Sequence, residues 1–280
     1  MEGDPGQVFE QNIFVISFIH PQIVTILTGC GKNKLDVLAF SNFICYKKQM
    51  QSGKPLNINE RHSATWVGRT RKFGESTRDE TIKDFLKFKK GARVLDLGCG
   101  DGIVSEHLLT KEQIHVFAAD FSREALNQTK KRGVRNLKKF NFCKTFPYRD
   151  SFFDFVIWLD NAEHLTDPAI TLSEIKRVLR TGGKLIITVP NMGFFMYRLY
   201  YMLKGNVPGT DGVRPNGYVN EPWEWEHIRF FNRDVLKGFL QKNNFKILKF
   251  GGYNYNPFFH RFAQKFPELL SHGIFALAQK

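Results

Sequence analysis

A chain of 280 residues with four cysteines and a formal charge of +14 is long enough to bury a full catalytic core, and about one and a half domains is the ordinary expectation for that length. Cys30, Cys45, Cys99 and Cys143 show no CxxC or CxxH spacing, which excludes a zinc knuckle and a disulfide framework and points to a reducing, cytoplasmic setting. The excess cations are spread along the chain, so no basic arm for nucleic acid stands out.

Residues 1–62 read as an N-terminal extension ending in a linker, QSGKPLNINERH. Ile13 to Leu27 is apolar, but His20, Pro21 and Gln22 interrupt it and Glu2, Asp4 and Glu10 precede it. That pattern fits neither a signal peptide nor a spanning helix; it allows a packed extension or peripheral membrane contact. Residues 63–280 read as one α/β domain. Arg78 to Lys90 carries Ile82, Phe85, Leu86 and Phe88 at helical spacing. From residue 93 strands and helices alternate, which predicts a mostly parallel sheet covered on both faces. Strands are expected at 93–97, 115–120, 137–142, 153–159 and 184–190. Between them lie helices at 102–109, at 123–132 capped by Ser122, and from Asp167 with Pro168 at its first position, Ile170, Ile175, Val178 and Leu179 inward and Gly182 at its end. Asn191–Phe231 is far longer than an ordinary connection and predicts a substrate lid. Phe194, Phe195, Tyr197, Tyr200, Tyr201, Trp223 and Trp225 give it aromatic rings, and Arg198, Arg214 and Arg229 charge. Asn232 is expected to cap a helix through Asn243 with Val235, Leu236, Phe239 and Leu240 inward. Two final strands follow at 246–251 and 274–278. The run KKRGVRNLKK at 130–139 reads as a solvated helix end or as a patch for an acidic partner.

The stretch VLDLGCGDG, 94–102, joins a buried strand to three alternating glycines and then a helix, the arrangement that lets a backbone approach a ligand beside free N–H groups. The dinucleotide pattern GxGxxG fails because Ile103 stands where its third glycine belongs. Asp120, 18 residues beyond Gly102 at the end of the second strand, is placed to accept bonds from both ribose hydroxyls of a nucleoside; a structural cap is the alternative. The stretch resembles the class I methyltransferases, and the resemblance spans about Arg78 to Lys280. It implies a seven-stranded Rossmann-like sheet with an antiparallel last strand and S-adenosyl-L-methionine as cofactor. It assigns cofactor contacts to Asp96, Gly98, Cys99, Gly100, Gly102, Asp120, Phe121, Asn141, Phe142 and Leu159. Where the family often has an acidic residue facing the adenine amino group, this chain has Asn141, Phe142 and Cys143.

SFFDFVIWLDNAEHLTDP at 151–168 and RVLRTGGKLIITVPN at 177–191 resemble the small-molecule branch, including the ubiquinone-biosynthesis O-methyltransferases. That likeness implies a small-molecule acceptor, a sugar, lipid-linked or aromatic metabolite, methylated at oxygen in the first place and at carbon in the second. The Asn/Asp-Pro-Pro-Tyr/Phe motif of base methyltransferases is replaced by LDNAEH, which disfavours nucleic acid; a non-catalytic cofactor-binding protein is a further alternative. Asp160, Glu163 and His164 form the sharpest constellation, able to hold a divalent metal, to supply His164 as base, or only to brace the loop. His227, in EHIRFF, is a second candidate base.

Overall fold

The computed structural model describes residues 72–111, 113–205 and 227–280. The N-terminal extension with its expected membrane contact, Cys30 and Cys45, and Arg214, Trp223 and Trp225 of the expected lid lie outside the described residues. Seven strands, β1 (Arg93–Leu97), β2 (His115–Asp120), β3 (Asn136–Lys139), β4 (Phe153–Leu159), β5 (Leu179–Pro190), β6 (Lys246–Tyr253) and β7 (Gly273–Gln279), form one sheet in the order β3-β2-β1-β4-β5-β7-β6. β7 runs antiparallel between β5 and β6, and the other pairings are parallel. The helices are α1 (Thr77–Lys83), α2 (Ile103–Leu109), α3 (Arg123–Lys131), α4 (Pro168–Val178), α5 (Phe195–Lys204), α6 (Arg233–Lys242), α7 (Pro257–Ala263) and α8 (Pro267–Leu270).

Alternation along β1 divides the core in two, as the period of a strand requires. Leu95 and Leu97 pack with Leu172 and Ile175 of α4 and with Leu236 and Leu240 of α6. Val94 packs with Ile82, Leu86 and Leu108. Because both sheet faces are covered, the central strands read as continuous apolar runs. β1, β2 and β4 begin and end where the sequence places them.

Several boundaries differ from expectation. α1 stops at Lys83, with Asp84 as its cap, instead of running to Lys90. A continued helix would hold Phe85 and Phe88 on one face; the unwound chain packs Phe85 on Phe275 of β7 and Phe88 on Phe155 of β4. β3 ends at Lys139, and Phe140, Phe142 and Phe146 leave it to pack together. β5 starts at Leu179, paired with Phe153 across an irregularity in register. Ile170 and Val235 are exposed; α4 buries Thr171, Leu172, Ile175 and Val178, and α6 buries Leu236 and Leu240. The α7–α8 insertion between the last two strands is not anticipated by the sequence reading, although Asn256 caps α7 and Pro257 opens it. Within 130–139, Arg132 pairs with Asp101 and Glu106, and the Lys138 ammonium meets the Pro147 carbonyl at 2.7 Å.

Candidate active site

The glycine loop after β1 is held by its neighbours. The Gly98 and Cys99 N–H groups donate to the Ala119 carbonyl at 2.8 and 3.1 Å. Gly98 and Gly102 lie at φ of 74° and 81°. A Cβ at Gly98 would fall 2.1 Å from the Asn161 side-chain oxygen, and one at Gly102 would fall 2.7 Å from the Thr129 Cα. Glycine is therefore required there by packing as well as by backbone conformation. The Asp120 carboxylate accepts the Gly100 N–H at 3.0 Å and the Ser122 N–H at 2.8 Å, joining the loop to the start of α3.

Beneath the loop Asp96 is buried and accepts the Ser105 hydroxyl of α2 at 2.6 Å. Burial pushes its carboxyl up to about 6. The buried Cys99 thiol is 3.5 Å from the Thr129 hydroxyl, and burial raises its pKa well above the ordinary thiol range, which makes it unreactive. Phe121 is exposed beside Asp120, with the Lys139 ammonium 5.9 Å from its ring centre. The Asn141 side-chain oxygen accepts the Cys143 N–H at 2.8 Å, closing a local turn. Phe142 faces the core, its carbonyl taken by the Thr171 hydroxyl at 3.0 Å.

The end of β4 reaches the same loop. Leu159 is buried, and its carbonyl accepts the Asn161 amide at 2.5 Å, an amide that also meets the Gly98 carbonyl at 3.4 Å. Asp160, at φ of 50°, is tied from three elements. Its carboxylate accepts the Arg78 guanidinium of α1 at 2.6 Å, the Thr188 hydroxyl of β5 at 2.7 Å and the Tyr253 hydroxyl of β6 at 3.3 Å.

One turn of 3₁₀ helix, Ala162–His164, then buries Glu163. The Glu163 carbonyl accepts the N–H groups of Ile228 and Arg229 at 2.9 and 3.0 Å, which brings the segment just before α6 to this turn. His164 and His227 each place Nε2 4.0 Å from Glu163 Oε1, and their ring centres are 4.8 Å apart. Burial, reinforced by the Asp160 charge, pushes the Glu163 carboxyl well above its ordinary range.

The geometry gathers a different trio from Asp160, Glu163 and His164. Asp160 is engaged by Arg78, Thr188 and Tyr253, and among the described residues the three groups whose ligand atoms lie within 4.8 Å of one another are Glu163, His164 and His227. Both Glu163 oxygens are buried without a hydrogen-bond partner, and one carboxylate with two imidazoles is a donor set suited to a zinc-like divalent ion. The expected aromatic lining also divides. Phe194 is buried against His272, with ring centres 4.1 Å apart, and Tyr197 packs on the same ring at 5.9 Å, whereas Tyr201 faces solvent. Arg78, Asn161, Thr188 and Tyr253 escaped the sequence reading. A hydroxyl in the middle of the apolar run KLIITVP was the one visible signal among them.

This sheet order, with the glycine loop after β1 and an acidic residue closing β2, defines a class I S-adenosylmethionine-dependent methyltransferase. A methyltransferase-domain family matches residues 71–249, and the chain belongs to it. It is 27% identical over 183 residues to a ubiquinone biosynthesis O-methyltransferase of Aromatoleum aromaticum, covering 60% of this chain and 69% of that one. It is 26% identical over 186 residues to phosphoethanolamine N-methyltransferase 2 of Caenorhabditis elegans, covering 60% of this chain but only 42% of that protein's length. A solved methyltransferase from Mesorhizobium loti superposes with a TM-score of 0.54 at 13% identity, covering 74% of this chain and all of that one. A [4+2]-cyclase does so with a TM-score of 0.52 at 16% identity, covering 75% and 84%. The shared fold thus defines a scaffold, and the acceptor chemistry lies with the site. Among the described residues no helix is long and apolar enough to cross a membrane.

Proposed function

We propose that the chain transfers the methyl group of S-adenosylmethionine to a hydroxyl of a small acceptor, an aromatic, sugar or lipid-linked metabolite. The observation that supports this reading is the pairing of two imidazoles with one buried carboxylate, Glu163, immediately after the strand that touches the glycine loop. Methyl transfer is a displacement: the acceptor oxygen forms the new bond to carbon, the sulfonium leaves as a thioether with the electron pair, and the hydroxyl proton must go to a base. In this reading the His164 and His227 pair takes that proton, and Glu163, 4.0 Å away, balances the imidazolium that forms. Asp120 receives the ribose hydroxyls, Phe121 stacks on the adenine, and Asp96 faces the cationic methionine end. A divalent ion held by Glu163, His164 and His227 would supply Lewis acidity, lowering the pKa of the acceptor hydroxyl.

The test is an assay with methyl-labelled S-adenosylmethionine against catechols, sugar alcohols and amines, with products read by mass. Labelled methyl ethers are expected. A label found only on nitrogen would move the reading to amines, which the likeness to the Caenorhabditis enzyme makes the second choice. Cofactor binding without transfer to any acceptor would favour a non-catalytic role.

A further inference from the structure

Two helices beside the site expose apolar side chains that a soluble surface would ordinarily cover. α5 leaves Met202 at 73% and Leu203 at 68% exposure, with Met196, Leu199 and Tyr201 also in solvent. α7 exposes Phe258 at 69%; Phe262 and Phe266 follow at four-residue intervals and are exposed as well. The two helices meet where Phe195 and Phe259 place their ring centres 6.3 Å apart, so the two sets of exposed residues belong to neighbouring helices. Scattered surface apolar residues need no cause, but a clustered set of this size marks an interaction surface.

Charge says what kind of partner fits. Arg198 of α5, Arg261 of α7 and Lys265 just beyond it are exposed among these apolar residues. Arg261 and Lys265 repeat the four-residue interval of the phenylalanines, one position away. Neither helix carries an acidic residue, and Glu268, the next acid along the chain, lies 3.5 Å from Arg233. Phenylalanine, leucine and methionine flanked by long cations and tyrosine is the composition of an interfacial helix, whose apolar face enters the acyl boundary while the cations meet phosphate.

We propose that the α5–α7 face docks on an anionic lipid bilayer. The face adjoins the site. Exposed Tyr255 packs on Tyr253 at 5.9 Å, Tyr253 bonds Asp160, and Tyr197 of α5 packs on His272. Docking there holds the mouth of the site against the lipid surface, where an amphiphilic acceptor resides. That last step rests on the methyltransfer reading; the docking itself does not.

Vesicle flotation with the purified full chain tests the proposal, using phosphatidylcholine alone and equal parts phosphatidylcholine and phosphatidylglycerol. Binding to the anionic vesicles only is expected, weakened by added salt and falling by at least ~10-fold in R261E/K265E and in F258S/F262S/F266S. S-adenosylmethionine binding by both variants reports that they are folded, and the charge-reversal pair stands alone if the triple variant does not fold. Equal flotation of wild type and variants would place any membrane contact elsewhere in the chain and overturn the proposal. So would binding to neither vesicle, or a concentration-dependent dimer that F258S/F262S/F266S abolishes, which would make a second copy the occupant. Loss of methyl transfer in solution, with flotation intact, would overturn the function and leave the docking standing.

Discussion

The guanidinium of Arg78 reaches the carboxylate of Asp160 at 2.6 Å across 82 positions of sequence, from the helix before the sheet to the loop after its fourth strand. Three elements thereby converge on one carboxylate, since Thr188 and Tyr253 also donate to it. Arg78 also pairs with Asp79, which is fully buried, and so braces two carboxylates.

Arg78→Ala should cost about 2–4 kcal/mol of stability, because it leaves carboxylates without their counter-charge in a mostly dry setting. Arg78→Lys should lose less but not recover the wild type, since an ammonium cannot hold both acids with a planar fork. Denaturant midpoints check this. A wild-type midpoint in Arg78→Ala would show that the pair contributes nothing net.

Asp120→Ala should weaken S-adenosylmethionine binding by about 1.5–3 kcal/mol, the cost of losing charge-assisted hydrogen bonds. Gly100→Val should be at least as damaging, since its φ of 55° is one that β-branched residues avoid. Calorimetry on folded variants decides, and an unchanged affinity in Asp120→Ala would give that carboxylate a structural role, such as its bonds to Gly100 and Ser122.

Asp96 gives a pH dependence of definite sign. Its carboxyl is pushed up to about 6 by burial, so the folded protein holds this proton more tightly than the unfolded chain. Its contribution to stability is present below the ordinary carboxylate range and is lost as pH rises to about 6. A cationic cofactor near Asp96 favours the ionised form, so affinity should rise between pH 5 and 7 by up to about tenfold per unit and level off above. Titration calorimetry across that window should show proton release on binding at the acid end. A flat profile in wild type, matched by Asp96→Asn, would place the cofactor's positive end elsewhere.

Glu163 carries the same sign at higher stakes. Because burial raises its carboxyl, ionising it destabilises the fold as pH rises above the carboxylate range. Glu163→Gln should melt at a higher temperature than wild type near pH 8, by about 2–4 °C for each ~1 kcal/mol relieved, and show little gain near pH 4. The same variant should lose most methyl transfer. Stabilisation without loss of activity would remove Glu163 from the mechanism.

The metal and base readings separate with a chelator. If Glu163, His164 and His227 hold an ion, activity should vanish with chelation, return with zinc or magnesium, and fall by orders of magnitude in His164→Ala and His227→Ala alike. If the imidazoles act as bases, chelation should change nothing and the rate should rise with pH as the imidazoles become neutral. A wild-type rate in both variants with chelator present would leave alignment alone as the mechanism.

By itself the sequence determined the scaffold. Strands buried on both faces must be continuous apolar runs, and glycines and a terminal aspartate mark where such a strand stops, so Arg93–Leu97, His115–Asp120 and Phe153–Leu159 were readable to the residue. Local chemistry was equally plain where the partner is a few positions away, as in Ser122 accepting the Ala125 N–H and Asp167 accepting that of Ala169. Tertiary structure alone decided what depends on distant partners. Phe85 and Phe88 abandon a helical pattern because two different strands take their rings, and the Phe-rich α7 has no apolar periodicity facing the core to announce it. Asp160 sits beside Glu163 and His164 in sequence, yet Arg78, Thr188 and Tyr253 claim its carboxylate, and His227 takes its place 63 residues after His164. A single chain shows which groups could pair; only the fold shows which of them lie within reach of a hydrogen bond, because that energy is gone within an ångström or two of misplacement.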